Sequence, residues 1–175
     1  CALVAARDAG AEFIAVTGYG SNDYPRLELA KALGADLVVD VAESDPVKSY
    51  RSATGGRLAD VVVDVTANAP GALGQAVALS SVDATIVMAG GRGQKGAPGL
   101  NADAIIWKEL TLKGALGVDA PVYRKALSLL AEKKFPFDLL TRQEVDLEET
   151  SELLTSMAGK SDVAPPVHGV IVPGS

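Results

Sequence analysis

The sequence is poor in the residues that hold metal ions and disulfides. Its 175 residues include one cysteine, Cys1, and one histidine, His168. A single cysteine cannot form an internal disulfide, and one cysteine with one histidine cannot supply the four ligands of a closed zinc site. We therefore expect no zinc site of the cysteine/histidine type within this chain.

Basic residues and long apolar runs are also scarce. Lys and Arg total 16 against 22 Asp and Glu, which gives a formal net charge of -6. Nucleic-acid binding needs Lys and Arg clustered on one face, and no such cluster is present. No apolar run approaches the roughly 18–20 residues that cross a bilayer, and the first residues lack the basic start of a signal peptide. We expect no nucleic-acid or membrane partner and a cytoplasmic location.

Apolar residues, in contrast, make up 48% of the chain, enough for the core of one domain or of one domain plus a fragment. Short runs rich in Val, Ile and Leu begin about 24 residues apart. Near-continuous apolar runs are typical of strands that are covered on both faces, as in parallel sheets. The predicted strands are residues 13–17, 36–41, 60–66, 85–90 and 110–116.

Segments of helical periodicity separate the first four runs. Pro25 to Leu33 has an apolar face and ends at Gly34, Asp45 is a candidate N-cap before Pro46, and residues 70–80 form a third helical segment. Repeated strand–helix–strand units of this length predict an α/β fold with a doubly wound parallel sheet.

The last third departs from this rhythm, so we predict a first domain over residues 1–118 and a C-terminal helical and extended segment over 119–175. This segment is expected to contain a helix over 120–133, an interruption at 135–137, an extended stretch from Glu144, a helix over 148–157 and a final strand over 169–173.

Two glycine-rich stretches could contact a nucleotide. Gly91 to Gly96 matches the Gly-x-Gly-x-x-Gly pattern after a strand, but residues 97–99 continue the loop where the dinucleotide fingerprint requires a helix, so a surface loop is favoured. Gly18-Tyr-Gly20 also follows a strand, although Asp23 replaces the third glycine.

We interpret this second turn as the place where an adenosine ribose would be recognised, with an ordinary solvated loop as the alternative. Thr17 and Gly18 occupy the strand tip, where a carboxylate would favour NAD, and Arg26 could instead meet a 2'-phosphate. The choice between NAD and NADP therefore stays open.

Asp64 is the one acidic residue in the apolar run Val61 to Thr66. A carboxylate in a buried strand must find hydrogen bonds or shift its pKa, and a structural role is favoured over a catalytic one. For His168, a surface position is favoured over a functional one.

Four segments in this order and spacing resemble the medium-chain dehydrogenase/reductase family, which includes the zinc-type alcohol dehydrogenases and the quinone reductases. They span most of the chain. The segments are RLELAKALGAD (26–36), ATGGRLADVVVD (53–64), IVMAGG (86–91) and KELTLKGALG (108–117).

The resemblance implies a Rossmann-like domain that binds NAD or NADP at the carboxyl ends of its strands. It implies that the residues after the third, fourth and fifth strands line the cofactor cleft, and that His168 lies near the cofactor phosphates. With the turn after the first strand, the candidate cofactor-binding residues are Thr17, Gly18, Arg26, Val65, Thr66, Ala67, Ala89, Gly90, Gly91, Ala115, Leu116, Gly117 and His168.

The sequence departs from the family pattern at its start, because residues 1–10 read as a helix with no strand and glycine-rich turn before them. In the strand order 3-2-1-4-5-6 the first strand is central, so we expect a sheet that is incomplete at its N-terminus, with two open inner edges. The N-terminal catalytic domain of the family is also absent, and zinc is expected only there.

The resemblance implies a parent enzyme that transfers hydride between NAD(P) and an alcohol or carbonyl substrate, with this chain inactive alone. An alternative is a non-catalytic nucleotide-binding or assembly module completed by a partner chain that supplies the missing strand. A methyltransferase on a related sheet is a third reading, which the ending Gly114 to Gly117 disfavours. A homodimer formed through the strand at 110–116 is also expected.

Overall fold

The computed structural model describes residues 1–67, 69–93, 96–140, 142–161 and 165–174. Its elements alternate between helices and strands, and all the strand pairs are parallel. The helices are α1 (Ala2–Asp8), α2 (Tyr24–Ala32), α3 (Pro46–Thr54), α4 (Ala72–Leu79), α5 (Ala102–Trp107), α6 (Ala120–Ala131) and α7 (Thr150–Met157). The strands are β1 (Ala15–Gly18), β2 (Leu37–Asp40), β3 (Ala59–Asp64), β4 (Ser80–Met88), β5 (Thr111–Gly114), β6 (Arg142–Val145) and β7 (His168–Ile171). Within the described ranges, no helix is long and apolar enough to cross a membrane.

The strands form three sheets, β1-β2, β3-β4-β5 and β6-β7. In the strand order 3-2-1-4-5-6, β1 and β2 of this chain correspond to strands 2 and 3, and β3, β4 and β5 correspond to strands 4, 5 and 6. Without strand 1 between them, this order gives two separate sheets, β1-β2 and β3-β4-β5. The parallel sheets with flanking helices confirm the predicted α/β class, and the pairing has the form that the sequence predicted for an incomplete sheet.

The first of two compact units comprises Cys1, Leu3–Glu43 and Lys125–Ser175. It contains β1-β2 and β6-β7, and its buried apolar residues include Ile14, Leu27 and Val39. Arg7 at the end of α1 forms an ion pair of 2.5 Å with Asp36, and the Asp36 carboxylate accepts a hydrogen bond from the Ile14 N–H. These contacts hold α1 against the entry to β1 and β2.

The second unit comprises Ala2 and Ser44–Arg124 and contains the sheet β3-β4-β5. Its core is formed by Leu73, Ala76 and Val77 of α4 and by Ile86 of β4, with residues of α5 packed against them. Asp45 caps α3 by accepting hydrogen bonds from the N–H groups of Val47 and Lys48, as the sequence predicted.

Two features differ from the sequence prediction. β4 begins at Ser80 rather than near residue 85, and it passes through Asp83 with a positive φ of 61°, where the Asp83 N–H bonds to the Lys108 carbonyl. The short helix α5 was not predicted. Asn101 is its N-cap, and the Asn101 side chain accepts hydrogen bonds from the N–H groups of Asp103 and Ala104.

Candidate functional site: the carboxyl edges of the parallel sheets

The carboxyl ends of β3, β4 and β5 lie side by side. Asp64 pairs with Met88, and Met88 pairs with Gly114, so the three strands end at the same level. The chain continues from this edge into the predicted cofactor residues. These are Val65, Thr66 and Ala67 after β3, Ala89, Gly90 and Gly91 after β4, and Ala115, Leu116 and Gly117 after β5.

This edge is accessible, and part of it is made of small residues. Ala67, Ala89 and Gly91 are exposed, and a Cβ built on Gly91 would meet nothing within 4 Å. Ala115 is held beside β4 because its N–H donates to the Met88 carbonyl at 2.9 Å. The edge therefore combines small residues with the exposed apolar side chains of Val65 and Leu116.

Gly90 is packed backbone to backbone against Thr66. A Cβ on Gly90 would lie 2.3 Å from the Thr66 carbonyl oxygen and 2.7 Å from its nitrogen. No residue other than glycine can hold this position without displacing the main chain after β3.

Asp64 is buried at the end of β3, and its carboxylate is fully engaged. Oδ1 accepts a hydrogen bond from the Thr66 N–H at 3.0 Å, and Oδ2 forms an ion pair with Arg92. The structural interpretation of Asp64 agrees with these contacts. The sequence did not identify Arg92 as its partner, although an acid in an apolar strand signalled that a partner was needed.

The described residues of the Gly91–Gly96 stretch contain no α-helix, and α5 starts only at Ala102. This agrees with the surface loop that residues 97–99 indicated. Gln94 and Lys95 of the pattern lie outside the described residues.

In the first unit, Thr17 and Gly18 end β1, and Arg26 lies on α2. Gly18 packs closely against α2, since a Cβ there would lie 2.9 Å from Leu27 Cδ2. His168 is exposed and begins β7. These residues belong to a different unit from the β3–β5 edge.

Two carboxylates to which the sequence prediction gave no role in binding hold the turn after β1. Asp23 accepts a hydrogen bond from the Tyr19 N–H, and Asp40 accepts one from the Gly20 N–H, each at 2.8 Å. The N–H groups of Gly20 and Ala42 hold the pKa of Asp40 below its ordinary value, so this carboxylate is charged at neutral pH. Arg26 forms an ion pair of 3.3 Å with Asp23.

No group of three or more His, Cys, Asp or Glu side chains is placed to hold a metal ion in the described part of the chain. These residues do not fit a zinc centre, and we derive no metal-dependent step from them.

Comparison with known proteins places this edge in a family context. A family model described as zinc-binding dehydrogenase matches residues 1–132. The chain belongs to the zinc-binding dehydrogenase family. The membership confirms the resemblance to medium-chain dehydrogenases that the four sequence segments indicated.

A relative in Mycobacterium tuberculosis, described as a probable alcohol dehydrogenase, is 54% identical over 99% of this chain and 47% of its own length. The structure of 2R,3R-butanediol dehydrogenase from Bacillus subtilis matches with a TM-score of 0.80 at 28% identity, over 98% of this chain and 47% of that one. Benzyl alcohol dehydrogenase from Acinetobacter calcoaceticus shares the fold with a TM-score of 0.81 at 24% identity, over 99% of this chain and 46% of that one. The zinc-binding dehydrogenase chain described here thus spans about half the length of the relatives it matches.

Proposed function

We propose that this chain is the cofactor-binding portion of an oxidoreductase that transfers hydride between NAD(P) and an alcohol or carbonyl substrate. The family membership supports the reaction class. The observation that carries the proposal is the edge where β3, β4 and β5 end in register, with the exposed small residues Ala67, Ala89 and Gly91 beyond them. When bound, the nicotinamide ring supplies the hydride chemistry.

The chain's own residues bind and orient the cofactor in this proposal. Thr66, Gly90 and Gly91 form a narrow floor against which the ring lies, and Ala115, Leu116 and Gly117 flank its carboxamide. In this proposal, the backbone groups of these residues that do not bond within the protein fix the orientation of the ring, because hydrogen bonds from a preformed backbone need no reordering on binding. Residues 1–118 act as the nucleotide-binding domain, and 119–175 connect it to the rest of the protein.

The contacts of the turn after β1 favour NAD over NADP. A 2'-phosphate needs unpaired donors, but the N–H groups of Tyr19 and Gly20 already bind carboxylates, and Arg26 is paired with Asp23. Two negative charges beside this turn repel a phosphate and accept hydrogen bonds from ribose hydroxyls.

The exposed apolar face of β3 bears equally on the dehydrogenase proposal and on the assembly-module alternative. Val62 and Ile86 pair and face the core, whereas Val61 and Val63 point to the opposite face and are 60% and 43% exposed. A doubly wound sheet has helices on both faces. Both proposals therefore place further protein on this side of β3, and an outer-strand homodimer through the exposed β5 is compatible with either.

The test compares the full-length protein that contains this chain with the isolated chain of residues 1–175. We expect the full-length protein to reduce NAD in the presence of an alcohol from a panel of primary, secondary and polyol substrates, followed by the absorbance of reduced nicotinamide. The isolated chain is expected to show no activity and only weak NADH binding. Activity or micromolar NADH affinity in the isolated chain would contradict the proposal that this chain needs the rest of the protein to bind the cofactor and catalyse the reaction. Nucleotide binding without turnover on any substrate would favour the assembly module.

A further inference from the structure

Arg92 is a largely buried cation that none of the steps above uses. Its side chain, in the turn after β4, is only 9% exposed and forms an ion pair with Asp64, whose side chain is 3% exposed. Its Nη1 donates to the Gly90 carbonyl at 3.2 Å, and its Nε is buried without a hydrogen-bond partner. Arginine side chains at the surface usually extend into water. This one points inward, and its contacts with Asp64 and Gly90 hold it there.

Asp64 holds the turn after β4 at several points. Its main-chain oxygen accepts hydrogen bonds from the N–H groups of Ala89 and Gly90, at 2.9 and 3.0 Å. Its carboxylate binds Arg92 on one oxygen and the Thr66 N–H on the other. Asp64 therefore links the loop after β3 to the loop after β4. Arg92, which follows Gly91 in the second loop, adds a further contact to the Asp64 carboxylate.

The link acts at the point where the two loops touch. Gly90 lies against the Thr66 backbone so closely that a Cβ would overlap it. Arg92 holds Gly90 there through its carbonyl while it is itself held by Asp64. Charge-assisted hydrogen bonds are directional as well as strong. The Arg92–Asp64 pair therefore fixes the position of the turn after β4 relative to the loop after β3.

We propose that Arg92 is a positioning residue for the nicotinamide site: through its ion pair with Asp64 it fixes the Gly90–Gly91 turn against Thr66. The inference rests on the proposed function, because it assigns Arg92 to the same site. Arg92 does not touch the cofactor and acts through Gly90 and Thr66. A small displacement of such a floor weakens binding and misorients the ring.

The test uses the Arg92→Gln and Arg92→Lys variants of the full-length protein, with Arg51→Gln as the control. Arg51 is an exposed arginine of α3, so its substitution makes the same change of charge away from the edge. NADH dissociation constants are measured by fluorescence titration, and amide hydrogen exchange of residues 89–91 is measured without nucleotide. We expect R92Q to raise the dissociation constant at least about tenfold and to speed the exchange. R92K, which keeps the charge but lacks the planar fork, should fall in between, and R51Q should match the unmodified protein.

The double variant Asp64→Asn with Arg92→Gln separates positioning from simple stability. Removing both charges relieves the unpaired buried charge left by the single substitution, so the thermal unfolding midpoint should recover. The NADH dissociation constant should stay raised, because the neutral pair lacks the directional link. Recovery of affinity together with stability, or an R92Q protein with unchanged affinity and exchange, would overturn the proposal. An unmodified protein that binds neither NADH nor NADPH would instead contradict the proposed function, and the exchange at 89–91 would still report on the link.

Discussion

At the scale of single residues, Gly90 is the position whose lack of a side chain matters most at the β3–β5 edge. Its backbone is not in the left-handed region, so the requirement for glycine comes from space and not from φ. Gly91 next to it has open space around the Cβ position. The two neighbouring glycines therefore differ: Gly90 permits close packing of two loops, and Gly91 leaves the surface bare where we propose that the cofactor binds.

We expect Gly90→Ala to lower the free energy of unfolding by about 2–3 kcal/mol, because the methyl group forces the Thr66 backbone to move. Gly91→Ala is the matched control and should change it by less than about 0.5 kcal/mol. Urea denaturation of both variants measures the difference. Equal effects of the two substitutions would show that the close contact with Thr66 is not present.

Asp23 is expected to set the preference for NAD. Asp23→Asn removes a charge from the turn after β1 and releases Arg26, so the ratio of NADPH affinity to NADH affinity should rise at least about tenfold in the full-length protein. Glu28→Gln is the control, since Glu28 lies on the same helix as Arg26 and pairs with Lys31 away from the turn. An unchanged ratio in D23N, or the same rise in E28Q, would remove Asp23 from the determinants of cofactor choice.

At the scale of elements, strands and helices with strong local patterns were predicted from the sequence. β1, β2, β3 and β5 fall within or beside the predicted apolar runs. α3 follows the predicted N-cap Asp45 and ends before Gly55, which adopts a left-handed conformation. Gly34, the predicted stop after α2, also has a positive φ. These signals are local, so they can be read without knowledge of the tertiary contacts.

Elements that depend on tertiary contacts were missed. α5 has only six residues, too few to show a clear helical period in the sequence. Packing against the core of α4 and β4 holds it in place. The partner of Asp64 lies 28 residues away in a glycine-rich turn, and nothing in the spacing identifies it. The same limit applies to Asp40, whose contact with the Gly20 N–H depends on the pairing of β1 with β2.

The end of α5 yields a prediction of its own. Glu109 has a positive φ of 53°, and the N–H groups of Glu109 and Leu110 bond to the carbonyls of Ile106 and Ile105 in the pattern of a Schellman motif. Glycine suits this position better, so Glu109→Gly should raise the free energy of unfolding by about 0.5–1 kcal/mol. Glu12→Gly, at an exposed residue without a positive φ, should lower it. Urea denaturation midpoints of the two variants and of the unmodified protein measure these changes. A loss of stability in E109G would contradict the positive φ assigned to Glu109.

At the scale of the whole molecule, the described strands form the separate sheets β1-β2 and β3-β4-β5, and two valines of β3 are exposed on one face. We propose that these sheets belong to the nucleotide-binding domain of a longer protein. The sequence resemblance predicted this organisation, and the family match and the length of the relatives agree with it. The assignment of particular residues to the cofactor, His168 among them, stays a prediction. So do the cytoplasmic location and the outer-strand dimer.

The most direct test of the central claim is hydrogen exchange of the full-length protein with and without saturating NADH, followed by mass spectrometry of its peptides. The account predicts slower exchange on binding in three separate segments, residues 65–67, 89–91 and 115–117, because the cofactor covers the carboxyl edge of β3, β4 and β5. Exchange in β6 should not respond. Protection confined to other parts of the protein, with these three segments unchanged, would contradict the account.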